Sequence, residues 1–231
     1  LSTWIKGIQV SENGVSQITR VEERPLNHFH CRLQQPQDFE LTAKQKHIRD
    51  GIPVIVALEG QLITLREQVP ATTQEGKLCS NTETDVLKLV VVNRYREAVP
   101  AVAFIKNFGF KKGAIASSVA HDSHNIVAVG VEDESICAAI NLVIEQQGGL
   151  SCVGPNRQKI VGLPVAGLMS AEDGYQVAAA YTEIDQLAKS LGTQLAAPFM
   201  TLSFMALLVI PHLKLSDKGL FDGDGFSLME I

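Results

Sequence analysis

Short apolar runs alternate with two amphipathic helices after residue 85, and this alternation limits the folds available to the chain. Several of the strand candidates are apolar at almost every position, as is typical of a sheet covered on both faces. The candidates are 86–92, 102–104, 114–120, 126–131, 151–153 and 159–161. The sequence therefore predicts an α/β fold, with α+β as the alternative, in which a mixed β-sheet is layered with helices and preceded by a small β-rich segment.

The two helices are predicted from apolar residues that recur at helical spacing. The first stripe covers 136–147 and stops at Gly148, a residue typical of helix ends. The second stripe covers 177–191, and Ser170 with Asp173 predicts a capping box at its start. Both stripes indicate helices that pack one face against a sheet.

The composition divides the chain into three segments. Residues 1–70 are predicted to be β-rich, residues 71–84 to form a linker or mobile loop of small and polar residues, and residues 85–231 to form the α/β domain. The strand candidates of the first segment are 5–10, 15–21 and 52–65.

Composition also bounds the function. The chain has 231 residues, of which 45% are hydrophobic, so it is long enough to bury a core. Its net charge of −5 argues against nucleic acid or an anionic membrane surface as a partner. The longest apolar stretch, 199–210, is shorter than the roughly 20 residues of a membrane span. Its four cysteines form no C-x-x-C pair, which favours reduced thiols and a cytoplasmic location.

The length also limits which domains the chain can contain. A (β/α)₈ barrel needs about 250 residues by itself, so this chain is too short to hold one and anything else. Because the sequence begins at Leu1 without a methionine, we expect it to be a piece of a longer protein.

The densest polar motif lies between two apolar strand candidates and consists of His121, Asp122, Ser123, His124 and Asn125. If Asp122 and Ser123 form a two-residue hairpin turn, His121 and His124 become a cross-strand pair on one face. Such a pair could bind a substrate, relay protons or, with Asp122, hold a divalent metal. The alternative is a polar turn that satisfies its own backbone.

Other candidate motifs are weaker. His28 and His30 form an H-x-H pattern that metal hydrolases use, but solvated surface histidines are the simpler interpretation. The glycines at 148–149 and 162–167 lack the spacing of a nucleotide loop and favour turns and close packing. No serine or cysteine lies in a recognised nucleophile motif.

Three stretches together resemble the C-terminal part of bacterial adenine deaminases, members of the amidohydrolase superfamily. They are GAIASSVAHDSHNI at 113–126, LPVAGLMS at 163–170, and PFMTLSF at 198–204 followed by LKLSDKGLFD at 213–222. The segment 85–94, which runs from an aspartate through an apolar strand to an arginine, also fits that family. Residues 1–70 are similar to the portion that follows the catalytic barrel.

The resemblance implies an enzyme that hydrolyses adenine to hypoxanthine and ammonia in purine salvage, with a metal-activated hydroxide. The manganese or iron would be bound by a barrel absent from this chain, so no catalytic residue is assigned here. The implied partners are adenine, that barrel and further copies of the enzyme. The motif 121–125 is expected to reach the barrel mouth, line the purine pocket or hold a subunit interface.

Two other classes of function stay open at this point. The chain could be a stand-alone module that binds a purine or a metal through His121, Asp122 and His124. It could also be a structural domain that forms oligomers through the apolar tail 199–209.

Overall fold

A computed structural model describes residues 1–19 and 26–229 of the chain. Its helices are α1 (Gln45–Asp50), α2 (Asp133–Glu145), α3 (Gly174–Ser190) and α4 (Pro198–Ser203), and a 3-10 helix spans Pro36–Phe39. Its strands are β1 (Ser2–Ile5), β2 (Ile8–Glu12), β3 (Val15–Ser16), β4 (Ile52–Ala57), β5 (Thr64–Val69), β6 (Thr73–Gln74), β7 (Lys77–Leu78), β8 (Val86–Val92), β9 (Ala101–Lys106), β10 (Ala114–Ser117), β11 (Ile126–Gly130), β12 (Gly149–Val153), β13 (Gln158–Gly162), β14 (Leu213–Ser216), β15 (Gly219–Asp222) and β16 (Ser227–Met229).

Eight strands form one mixed sheet in the order β13-β12-β10-β11-β8-β9-β4-β5. Its neighbouring strands are antiparallel except β4 and β9, which run parallel with Val54 opposite Phe104. Helices pack on this sheet, and a small antiparallel sheet, β1-β2-β3, precedes it. The predicted class is confirmed in its α+β form, because the large sheet is mostly antiparallel.

The inner strands of the large sheet are covered on both faces, which explains why they are so uniformly apolar. In β8 all seven residues are buried. Val90 and Val92 belong to the core cluster that includes α2, whereas Leu89 and Val91 belong to the opposite cluster, because successive side chains alternate across a strand. The opposite layer is formed by α3, α4, β14 and β15.

The first predicted helix is confirmed. α2 buries Ile136, Ile140 and Val143 against the sheet and ends before Gly148. Its acidic first turn includes Asp133, whose carboxylate accepts hydrogen bonds from the buried ammonium of Lys88 at 2.6 and 2.8 Å. This ion pair joins the helix to the centre of the sheet.

The second predicted helix is also present, but its predicted capping box is wrong. Asp173 is the N-cap residue, and its carboxylate accepts hydrogen bonds from two backbone N–H groups of the first turn of α3. Ser170 lies before the cap, where its hydroxyl accepts from the backbone N–H of Glu172. Asp173 at the N-cap satisfies the free N–H groups at the start of the helix, so Ser170 is not needed for capping.

The sheet crosses the predicted boundary near residue 70. β4 and β5 lie before that boundary, and β4 pairs with β9 on one side and with β5 on the other within the large sheet. Residues 58–63 separate β4 from β5 within the predicted strand 52–65. The segment 71–84 contains the β6–β7 hairpin and buries Leu78. The division into 1–70, 71–84 and 85–231, and the mobility of the middle segment, stay predictions.

The N-terminal sheet differs in detail from the predicted strands. A turn at Lys6 and Gly7 divides the predicted strand 5–10 between β1 and β2. The predicted strand 15–21 is limited to β3 at its start, and its last two positions lie outside the described residues. Trp4 and Ile8 are exposed on this sheet.

Most of the apolar tail 199–209 belongs to the core. Phe199, Leu202 and Met205 pack in the layer that covers the sheet, while Met200 and Val209 are exposed. Large apolar side chains of the tail are therefore exposed at those two positions and not along its length. Within residues 1–19 and 26–229, no helix is long and apolar enough to cross a bilayer.

Candidate functional site

The motif 121–125 lies in the connection between β10 and β11, at the edge of the sheet where β8 ends. The predicted two-residue hairpin is wrong, because pairing of the two strands stops at Ser117 and Val127 and the residues between them form a longer turn. His124 occupies the left-handed region with φ of 50°, a conformation that costs energy for any residue but glycine. The turn therefore depends on contacts that hold it.

The predicted proximity of the two histidines is present in this longer turn. The rings of His121 and His124 lie edge to face with centroids 5.6 Å apart. His121 also stacks on Phe204 at 4.9 Å, and its backbone N–H donates to the carbonyl of Ser203 at 2.9 Å. The end of α4 thus fixes one histidine, and that histidine lies against the other.

His124 carries an unsatisfied ring nitrogen. Its Nδ1 is buried and has no hydrogen-bond partner among the described residues. Burial lowers the pKa of His124 below its ordinary value, His121 and Arg94 lower it further, and Asp122 opposes them. The lowered pKa favours the neutral ring, and a neutral imidazole both donates and accepts a hydrogen bond.

Beside this turn lies the buried guanidinium of Arg94, a residue two positions after the end of β8. Its Nη1 donates to Asn27 Oδ1 at 3.1 Å, and its Nη2 donates to Tyr95 Oη at 3.0 Å and to the carbonyl of Ala166 at 2.8 Å. The guanidinium lies over the rings of Phe29 and Tyr95, 5.0 and 4.6 Å from their centroids. These acceptors are neutral, and Nε has no partner among the described residues.

Two hydrogen bonds connect the arginine region to the turn. Tyr95 Oη donates to the carbonyl of Ser123 at 2.8 Å, and the backbone N–H of Arg94 donates to Asn125 Oδ1 at 3.3 Å. Asn125 is buried, whereas Asp122 and Ser123 are exposed.

The loop 162–167 packs against the same arginine. A side chain at Gly167 would clash with the Arg94 guanidinium, and the φ of this glycine is +71°. Ser118 Oγ donates to the carbonyl of Gly167 at 2.6 Å, which ties the loop to the start of the connection. Close packing, the predicted role of these glycines, is confirmed at Gly167.

Phe204 is held by a buried lysine. The ammonium of Lys214 donates to the carbonyls of Phe204 and Leu62 at 3.1 and 2.7 Å, and its side chain is fully buried. Burial lowers the pKa of Lys214 to about 8. Lys214 therefore fixes the end of α4 that packs on His121.

His28 and His30 lie on the segment that carries Phe29. Their rings are 6.0 Å apart and both residues are exposed. In the part of the chain that the structure describes, no three His, Cys, Asp or Glu side chains come together as they would around a metal ion. Neither this pair nor the group of His121, Asp122 and His124 has the geometry of a metal site.

Sequence reasoning did not select Asn27, Tyr95 or Phe204 as site residues, and it noted Arg94 only as the end of a family segment. Arg94 lies in the polar stretch 93–97 after the apolar strand, where no local pattern distinguishes it from its neighbours. Asn27 and Ala166 lie 67 and 72 residues from Arg94 in sequence, so their contacts depend on the tertiary fold.

Comparisons with known proteins agree with the sequence motifs. Residues 61–227 match the adenine deaminase C-terminal domain, and the chain belongs to that family. It is similar to proteins named adenine deaminase from Borreliella afzelii (42% identity), Salinibacter ruber (46%) and Sulfurovum (46%), with 99%, 99% and 100% of this chain covered. The chain spans 41% of the length of each of these relatives.

Proposed function

We propose that this chain is the C-terminal part of an adenine deaminase, an enzyme that hydrolyses adenine to hypoxanthine and ammonia. The support is the membership of this chain in the adenine deaminase C-terminal domain family and its sequence identity to proteins named adenine deaminase. Those proteins are more than twice as long as this chain. The catalytic barrel lies outside this chain, so the isolated chain is inactive. The enzyme acts in purine salvage in the cytoplasm as a homo-oligomer, with neither nucleic acid nor a membrane as partner.

In this proposal a manganese or iron ion in the barrel supplies the hydroxide that attacks the purine. The described residues of this chain do not fit such an ion, since no three potential ligands converge among them. No step is therefore assigned to a metal here, and the role of this domain is to bind and orient the substrate.

The residues assigned to that role are His121, Asp122, Ser123, His124 and Asn125, which we place at the purine pocket. The observation that carries the assignment is the buried Nδ1 of His124, which lacks a partner among the described residues and belongs to a ring whose lowered pKa favours the neutral form. The edges of adenine alternate donors and acceptors, so a neutral imidazole matches them and an imidazolium, which only donates, does not. In the alternative, the same turn holds a subunit interface.

The test is His124→Ala in a full-length adenine deaminase that carries this chain. We expect kcat/KM for adenine to fall roughly 10- to 100-fold, as when one positioned hydrogen bond is lost, while the melting temperature falls by less than about 3 °C. The matched control is His30→Ala, because the side chain of His30 is exposed and the substitution keeps its backbone N–H, the group that contacts Arg94.

Three outcomes would contradict the proposal. Deamination of adenine by the isolated 231-residue chain with added manganese would show that the barrel is not required. Equal activity of the His124→Ala and His30→Ala enzymes would remove the turn from substrate binding. Loss of oligomer together with activity in His124→Ala would assign the turn to an interface.

A further inference from the structure

We propose that Arg94 and Tyr95 are positioning residues that hold the turn 121–125 in its working conformation and couple it to the segment 26–30. This inference rests on the proposed function of that turn. Neither residue is assigned a contact with substrate, and both act through the backbone and side chains that they contact.

The Tyr95 hydroxyl lies between the arginine and the turn. It accepts a hydrogen bond from Arg94 Nη2 at 3.0 Å and donates one to the carbonyl of Ser123 at 2.8 Å. Because Ser123 is exposed and the neighbouring His124 has a positive φ, the turn needs such a tie to keep its conformation. Tyr95 transmits the rigid position of the buried arginine to this exposed carbonyl.

Arg94 is itself held rigidly. The side chain is 4% exposed, and three neutral oxygens and two aromatic rings fix its plane. A lysine retains the charge but lacks the planar fork that makes these three hydrogen bonds at once. Substitution of Arg94 by lysine therefore removes the hydrogen-bond geometry at this position while it keeps the positive charge.

The charge of Arg94 also acts on the turn. Arg94 has no carboxylate partner among the described residues, and a guanidinium stays protonated in proteins. The ionisable groups that act on His124 are His121, Arg94 and Asp122. His121 and Arg94 oppose the protonation of His124. Arg94 therefore favours the neutral ring, while the Tyr95 hydroxyl holds the turn at the carbonyl of Ser123.

Arg94 also couples the turn to residues 26–30. Asn27 Oδ1 accepts from Arg94, while Asn27 Nδ2 donates to the carbonyls of Pro164 and Gln147. The backbone N–H of His30 donates to the carbonyl of Arg94 at 2.7 Å. Arg94 thus contacts the segment 26–30 and the loop 162–167, and Tyr95 connects it to the turn. Displacement of the segment therefore displaces the turn.

The experiment compares Tyr95→Phe, Arg94→Lys and Arg94→Gln in the full-length enzyme. We expect Tyr95→Phe and Arg94→Lys to lower kcat for adenine by about tenfold without moving the acidic limb of the pH profile, because both retain the charge. Arg94→Gln lowers kcat and also moves the acidic limb to higher pH, because the cation that disfavours protonation of His124 is gone.

Controls and contrary outcomes are defined by the neighbouring residues. Arg96→Gln and Tyr175→Phe, both exposed positions, should retain full activity and an unchanged pH profile. An unfolded Arg94→Gln protein would leave Tyr95→Phe and Arg94→Lys to decide the positioning role. If His124→Ala is inactive but Tyr95→Phe and Arg94→Lys match the wild type, this inference alone is overturned. If His124→Ala is fully active, the substrate role of the turn is overturned with it.

Discussion

The three-stranded sheet β1-β2-β3 and the eight-stranded sheet both contain runs of apolar and β-branched residues, but their surroundings are opposite. In the large sheet, β4, β8, β10, β11 and β12 are buried at every position. In the small sheet, Trp4 and Ile8 are 59% and 68% exposed. Among the described elements, the small sheet makes its main contacts within itself.

The comparison shows that an apolar pattern in the sequence is enough to form strands. Those strands become part of a core only where a second layer of structure covers them. The large sheet has α2 on one face and α3, α4, β14 and β15 on the other. The small sheet has no comparable layer among the described residues, and three short strands alone are marginally stable in water. The two sheets should therefore respond differently to the same kind of substitution.

The largest difference is expected for truncation of apolar side chains. Leu89→Ala in β8 should lower the free energy of unfolding by about 3 kcal/mol, because it leaves a cavity in a filled core. Ile8→Ala in β2 should change it by less than about 0.5 kcal/mol. Denaturant unfolding of both variants measures this, and equal losses would mean that the small sheet is covered in solution.

A smaller difference is expected for charge removal. Lys88 is buried in the large sheet and pairs with Asp133, so Asp133→Asn leaves its ammonium with neutral acceptors only and no carboxylate. We expect a loss of about 2 kcal/mol for this partly buried pair. Glu12→Gln on the small sheet should be neutral in the same unfolding experiment, and a neutral Asp133→Asn would contradict the account of the ion pair.

The smallest expected difference concerns pH. The pKa of Lys214 is lowered to about 8 in the folded protein from 10.5, so between these values the unfolded chain binds more protons at this residue. Stability then rises with pH through this group, by about 1 kcal/mol between pH 8 and pH 9. The gain should vanish in Lys214→Met and persist in Lys6→Met, where the exposed lysine lies at the small sheet. A gain that survives Lys214→Met would assign it to another group.

The periodic elements could be predicted from sequence because local pattern and burial agree in them. Ile136, Ile140 and Val143 mark one face of α2, and that face is the buried one. The strands β14, β15 and β16 have three or four residues each, too few for periodicity to identify them. Their pairing is set by the layer they form over β5, β8 and β9.

The site could be predicted in part for the same reason. The proximity of His121 and His124 follows from their spacing in sequence, whereas the conformation of their turn does not. That conformation depends on Tyr95, which is 28 residues from Ser123, and on Arg94, whose partners are farther away. Contacts of this kind arise only after the sheet has brought distant segments together.

The parallel pairing of β4 with β9 has a practical consequence for anyone who shortens this protein. A fragment that begins at residue 71 or 85 lacks β4 and β5, so it leaves β9 as an unprotected edge strand with free backbone groups along Ala101–Lys106. Apolar edge strands of this type join other chains and aggregate. Fragments for expression should accordingly begin before Ile52 and keep the β4–β5 hairpin as the cap of the sheet.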